Sequence, residues 1–119
     1  MKSLFGFAGL ATAVVMLGVA VGPAHAAAPD AKKGQEVFEQ CAVCHNADST
    51  EKKMGPGLKG LYKKAKLTNG KPVNDANVKA FINAGGNGMP PYADTLSDAE
   101  RADLIAYLKQ YGADGKGPQ

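Results

Sequence analysis

The chain has no tryptophan, only two cysteines and only two histidines among its 119 residues, and aromatic residues make up 7% of it. Each shortage excludes something. Structural zinc wants four cysteine or histidine ligands, and Cys41, Cys44 and His45 are three consecutive candidates without a fourth. The sparse aromatic content, together with 15 glycines, leaves little with which to fill a large core. No segment alternates polar and apolar residues for long enough to read as a strand, and no internal repeat is present. Long apolar runs are also lacking, with one exception at the start.

That exception is Leu4 to Val21, preceded by Lys2 and closed by Pro23-Ala24-His25-Ala26. A positive start, an apolar centre and an Ala-x-Ala end make a secretory signal, with cleavage expected after Ala26. A retained anchor is the alternative, but 18 residues with several glycines sit near the lower limit for spanning the bilayer. Removing residues 1–26 from the 119 leaves a 93-residue domain, 27–119, in which 113–119 reads as a flexible polar tail. His45 then becomes the sole histidine, and Met54 and Met89 the only methionines. A domain of this size with two phenylalanines and four tyrosines generally needs a disulfide, a metal or a bound group to complete its core.

The segment Cys41-Ala42-Val43-Cys44-His45 supplies the means. An exported chain meets an oxidising compartment, where isolated thiols rarely persist. A thioredoxin-like dithiol would follow a strand in a βαβ unit, whereas the flanks here read as helix and loop. Cys-x-x-Cys-His is instead the attachment signature of c-type haem. Two intervening residues let both sulfurs add to the vinyl groups on one porphyrin edge, and the adjacent histidine reaches the iron as its proximal ligand.

The surrounding chain reads as helices joined by stiff loops. Asp30 is a plausible cap for a helix over 31–40, with Val37, Phe38 and Cys41 on one face. Gly34 lies one turn before Phe38, and a mid-helix glycine costs ~1 kcal/mol against alanine; simple tolerance and close approach of another element fit it equally. Leu58 to Lys66 is long enough for one short helix with Leu58, Leu61, Tyr62 and Ala65 on one side. Asn69-Gly70-Lys71-Pro72 is a turn. Asp75 is the expected cap of a third helix, with Val78, Phe81 and Ile82 inward and a left-handed stop at Gly85-Gly86. Pro90 and Pro91 stiffen the loop 87–92. Ser97-x-x-Glu100 is a capping box; the last helix carries Leu104, Ile105, Tyr107, Leu108 and Tyr111, with Gly112 expected just past its end. The fold class is all-α, one small domain.

With these residues in place, the chain from 27 onward resembles the class I, monohaem cytochromes c, small electron carriers with one covalent haem. The resemblance implies that the first and last helices cross, with Gly34 meeting Tyr107. It implies that Cys41 and Cys44 hold haem c, that His45 is one axial ligand, and that the Pro56 carbonyl of Gly55-Pro56 accepts a hydrogen bond from the His45 ring. Asn87-Gly88-Met89-Pro90 resembles the loop carrying the second axial ligand, Met89. Met54 is the other thioether, and lysine amines are further rivals. The short stretch from His45 to Met89 looks like compact bacterial or photosynthetic members, and the tryptophan that many members place against a haem propionate is missing. Tyr62, Lys63 and Lys71 are candidates for that work.

Three functional readings follow. The first is a periplasmic, or otherwise extracytoplasmic, electron carrier. The second is a haem protein with an open or labile sixth position, peroxidase-like or gas-responsive, or a haem subunit of a larger redox complex; Tyr92 and Arg101 are the side chains that would approach the iron. The third is a non-haem metal or thiol module. Haem iron ligated by histidine and methionine suits electron transfer rather than catalysis, and no second histidine exists after residue 26. The 93 residues carry 13 basic and 11 acidic side chains, but Lys52 to Lys79 holds eight lysines against Asp75 alone, a local net charge of +7. An acidic face on a redox partner protein is the expected complement of this band; solvated loop lysines are the alternative. Nucleic acid is not expected to be a partner, nor is membrane insertion once the signal is cleaved, and the protein is expected to be a monomer.

Overall fold

A computed structural model of the chain describes residues 27–113 and, upstream, the isolated positions Gly18 and Gly22. Apart from those glycines, the expected signal and its cleavage point lie outside the described residues, as do positions 114–119 of the tail. Among the described residues the architecture is all-α, with helices α1 (Ala31–Phe38), α2 (Asp75–Ala84) and α3 (Asp98–Ala113) and a single 3₁₀ turn at Leu61–Lys63. Among the described residues the only extended pairings are two isolated bridges, Lys66 with Pro72 and Gly86 with Met89. No helix among them is long and apolar enough to cross a membrane.

Helix α1 begins where expected. The Asp30 carboxylate accepts from the amides of Lys32 at 2.8 Å and Lys33 at 3.4 Å, satisfying donors that have no partner within the helix. It ends at Phe38, two residues before the expected Gln40, and irregular turns then carry the chain forward. In them the Cys41 amide donates to the Phe38 carbonyl (2.7 Å) and the His45 amide to the Cys41 carbonyl (2.9 Å).

Close approach, not tolerance, explains Gly34. A Cβ there would run into the Asp103 carbonyl and stand 2.8 Å from Tyr107 Cβ, so α1 crosses α3 backbone to backbone at this point. The crossing is fixed further by the Asp30 amide, which donates to Asp103 Oδ1 at 2.7 Å. Replacing Gly34 with alanine should gain helix propensity yet lose more through overpacking, for a net cost of ~1–3 kcal/mol. Denaturant titration of the haem-loaded protein should give a lower midpoint; one at or above the native value would show that the crossing has room.

Asn74, rather than the expected Asp75, caps α2, its Oδ1 accepting from the Asn77 amide at 2.8 Å. Asp75 becomes the first helical residue, where its charge favours the positive end of the helix dipole, and it accepts from Lys109 Nζ at 2.8 Å. The helix ends at Gly85 with φ 65° and ψ −162°, a glycine conformation outside the expected left-handed stop. In α3 the capping box forms as predicted: the Ser97 amide donates to Glu100 Oε2 (2.7 Å) and the Glu100 amide to Ser97 Oγ (3.2 Å). Gly112 lies inside α3, not beyond it. The Gly60 amide donates to the Tyr111 carbonyl at 3.1 Å, so an outside loop supports the last turn.

The expected helix over 58–66 shrinks to its 3₁₀ turn. Lys64 is already extended, and the Leu67 amide donates to the Lys71 carbonyl while the Val73 amide donates to that of Ala65. Residues 65–73 therefore close on themselves through Asn69-Gly70, which leaves Ala65 exposed. The core is built from Phe38, Val78, Ile82, Leu96, Leu104, Ile105, Tyr107 and Leu108. The Phe38 and Tyr107 rings meet at a 49° tilt, 5.4 Å between centroids, and Tyr107 meets Tyr111 edge-on at 5.2 Å.

An ion-pair cluster centred on the exposed Asp98 also ties α2 to α3. Asp98 Oδ1 accepts from Lys79 Nζ (2.7 Å) and Arg101 Nη2 (2.9 Å), and these two cations hold its carboxyl at a pKa of about 2. A carboxyl depressed by folding contributes stability above its unfolded pKa of ~3.9, and that contribution is lost as pH falls through the folded value. Acid unfolding between about pH 4 and pH 2 should therefore be less steep in Asp98→Asn. Identical acid limbs would dissociate this cluster from acid stability.

Candidate functional site

A half-open cavity of about 520 Å³ lies against the core. Phe38 comes to its wall from α1, Val78, Phe81 and Ile82 from α2, and Leu104 and Leu108 from α3. Cys41, Cys44 and His45 line it, and so does Met89. Four residues that the sequence singled out for cofactor chemistry therefore share one apolar chamber.

The turns that follow α1 aim His45. Its Nδ1–H donates to the Pro56 carbonyl at 2.8 Å, as the resemblance implied. A carbonyl only accepts, so the neutral ring carries its proton on Nδ1 and presents the lone pair of Nε2. Gly55 makes the approach possible, because a Cβ there would stand 2.8 Å from Nδ1 and 2.9 Å from Nε2. The loop is tied back by the Gly55 amide to the Cys44 carbonyl (2.8 Å) and by the Leu58 amide to the Asn46 carbonyl (2.7 Å).

Both cysteines are half-buried free thiols. Burial, reinforced by Cys44, pushes the Cys41 thiol up to about 11, unlike the depressed values of reactive dithiol sites. Among the described residues no group of three or more cysteine, histidine or acidic side chains is placed to hold a metal ion.

Met89 is presented by a tight turn. Its amide donates to the Gly86 carbonyl (3.0 Å) and its carbonyl accepts from the Gly86 amide (2.9 Å), with Asn87 at φ 52° and Gly88 at φ 89° between them. Positive φ at both central positions is the geometry that Asn-Gly favours. The sequence reading credited only the prolines with stiffening this loop, although Asn-Gly was there to be read. Met54 also borders the cavity, 3.9 Å from Cys44 Sγ, but it is 79% exposed.

Other candidates fall differently. Tyr62, Lys63 and Lys71, considered for a propionate, do not border the cavity; Lys52, Lys64, Lys66 and Thr68 do. Burial first, then the nearby Asp75 carboxylate, push the Tyr62 hydroxyl far above its ordinary pKa, and Lys109 Nζ lies 5.5 Å from its ring centroid. Tyr92 reaches the cavity wall, and burial, then Cys41 and Cys44, raise its pKa. Arg101 does not; its guanidinium is committed to loop carbonyls and Asp98.

The donor set fits a covalent haem: two thiols, an imidazole with Nε2 presented, a thioether and apolar walls around one cavity. Comparison with known proteins agrees. Residues 31–112 match the family described as Cytochrome c. The chain is 34% identical to cytochrome c2 of Blastochloris viridis over 131 residues, covering 96% of each chain and so most of residues 1–26. It is 36% identical to cytochrome c of Chlamydomonas reinhardtii over 106 residues, which cover 73% of this chain and 94% of the other. The crystal structure of cytochrome c6 from the diatom Phaeodactylum tricornutum superposes with a TM-score of 0.58 at 26% identity, over 73% of this chain and 99% of that one. A cavity furnished in this way, inside a chain related to these proteins along most of its length, belongs to the class I cytochrome c family, whose members carry covalent haem c and transfer electrons rather than act as enzymes.

Proposed function

We propose that this protein is a soluble, monomeric, extracytoplasmic electron carrier in which Cys41 and Cys44 bind the haem and His45 and Met89 are its axial ligands. The observation that carries this reading is the 2.8 Å bond from His45 Nδ1 to Pro56, made within a cavity that Met89 also lines. Bound haem supplies a one-electron couple, whose potential rises with methionine ligation. The residues do the rest. Pro56 fixes the His45 tautomer and raises its basicity as a ligand. The Gly86–Met89 turn holds the thioether in the cavity wall, and Leu104, Ile82 and Phe38 make that wall apolar. A preorganised site of this kind needs little rearrangement when an electron arrives or leaves.

Potentiometric titration should give a single one-electron curve, and the oxidised protein should bind neither peroxide nor added imidazole readily at neutral pH. Ready binding would favour the open-site reading. The leader supports export, and N-terminal sequencing of the mature protein should begin at Ala27. A chain retaining residues 1–26 would make the leader an anchor.

The basic band is the proposed docking face for an acidic redox partner, but its lysines are not equivalent. Lys79 is paired with Asp98, and Lys53 Nζ donates to the Ala42 carbonyl at 2.8 Å. Lys63 and Lys64 are exposed, and Lys64 also borders the cavity. Reversing the charge at both should slow association with the partner more than it changes maximal turnover. The native rate should fall as salt shortens the Debye length from ~10 Å at 0.1 M to ~3 Å at 1 M. A rate indifferent to salt would return these lysines to plain solvation.

A further inference from the structure

Arg101 is the only charged side chain buried among the described residues, with 8% of its surface exposed. Arginine is almost never this buried without partners, and its partners here lie on the chain that leads away from Met89. Nη1 donates to the carbonyls of Ala93 (3.1 Å), Tyr92 (3.5 Å) and Leu96. Nη2 donates to Asp98 at 2.9 Å, and Asp98 in turn holds Lys79 of α2. The Tyr92 amide donates to the Ile82 carbonyl, one helical turn beyond Lys79, at 3.0 Å. These contacts close a ring from α2 through the Tyr92 peptide, Arg101 and Asp98 back to α2. Met89 sits between two fixed points, the reciprocal pair with Gly86 before it and the Tyr92 peptide after it.

The geometry points to Arg101 as the positioning residue for Met89: it fixes the rear of the ligand loop and so sets how often the thioether leaves its place. This rests on the proposed ligation by Met89. It goes further by assigning the closed state of the sixth position to a side chain that does not line the cavity. The prolines make the loop stiff, but stiffness alone does not tie it to the helices. The buried guanidinium does, and no apolar side chain of similar volume would supply donors to three carbonyls.

The test uses the haem-loaded protein and compares native with Arg101→Gln, Arg101→Lys and a control, Ile105→Val, which trims the core but removes no hydrogen bond to the loop. The probe is imidazole, whose binding to the oxidised protein reports opening of the sixth position. Arg101→Gln should bind it faster by on the order of tenfold or more, as expected for the loss of even one hydrogen bond to a charged group. Arg101→Lys, which keeps a cation and part of the bonding, should fall between. Exchange of the Tyr92 amide hydrogen should accelerate in the same order, a readout independent of any ligand. Ile105→Val should lower the melting temperature without either change. If Arg101→Gln lowers the melting temperature but binds imidazole no faster than Ile105→Val, Arg101 is a structural residue only and the inference falls. Should Arg101→Gln fail to fold, Arg101→Lys decides in the same way. A native oxidised spectrum without the sulfur-to-iron band would instead overturn the ligation reading. That band present in the native protein, with opening unaffected by Arg101, would overturn only this inference.

Discussion

A chain in which Cys41 and Cys44 are both alanine should leave the maturation pathway without covalent haem and without a stable fold. Native protein matured with a haem-attachment system should show, by intact mass, residues 27–119 plus one haem, and the colour should stay with the protein through acid-acetone extraction. The double variant should lose the added mass and release any colour. The effect on folding is large because the cavity of about 520 Å³ is lined by the same Phe38, Ile82, Leu104 and Leu108 that form the core. Unfilled apolar space in a core destabilises in proportion to its volume, and an ordinary domain has only ~5–15 kcal/mol of stability to lose. The walls would collapse, or the helices would part, before such a void persisted. Far-ultraviolet circular dichroism should accordingly show much reduced helix in the double variant. Haem that washes out of the native protein, or a double variant as helical and as stable as native, would contradict the assignment of both cysteines.

How much of this was legible in the sequence follows from the range over which each signal acts. The caps at Asp30 and Ser97 and the apolar stripe of α3 are local, since backbone amides and the side chains that satisfy them lie within four residues of each other. They were read correctly. Asp75 was misread as a cap because Asn74 and Asp75 are both good acceptors; α2 starts one residue earlier, and Lys109, 34 residues away in sequence, takes the carboxylate instead. The helix expected over 58–66 fell to a competing short-range pairing, the closure of 65–73 on itself around Asn69-Gly70. Gly112 stayed helical because Gly60 supports the Tyr111 carbonyl from a distant loop. Within the candidate site, Cys41, Cys44 and His45 were legible as a motif because they stand together in the sequence, and the structure places all three on the cavity. The lysines bordering the cavity were not, since a residue's position on its rim depends on how the loops fold over it. Arg101 was read as a side chain that would approach the iron; the path of the 92–96 loop turns it to that loop's carbonyls and away from the cavity instead.

Replacing Met89 with alanine should open the sixth position while leaving the fold in place, and it is the substitution that separates carrier from catalyst. Two thioethers border the cavity, Met54 and Met89, and the sequence alone left both possible. Met54 stands directly before Gly55 and Pro56, the residues that hold the His45 ring, and its sulfur lies 3.9 Å from Cys44 Sγ with 79% of the residue in solvent. To serve as the second ligand it would have to leave the histidine side and cross the chamber. Met89 needs no such movement: it is half-buried, packs against the core, and its backbone is held at both ends. A preordered loop loses less entropy when a ligand bond forms. The oxidised native protein should therefore show the sulfur-to-iron band near the red end of the spectrum. Met89→Ala should abolish it, and Met54→Ala should keep it. The potential should fall by a sizeable part of the ~0.8 V range set by haem axial ligation, and carbon monoxide should bind the reduced variant. Lys64 and Lys66 also border the cavity, so an amine that takes the vacant place should reveal itself by leaving as pH falls. A band that survives in Met89→Ala and disappears in Met54→Ala would move the ligand to the other methionine. Ready binding of carbon monoxide by the unmodified protein at neutral pH would leave the sixth position open and end the assignment as a simple electron carrier.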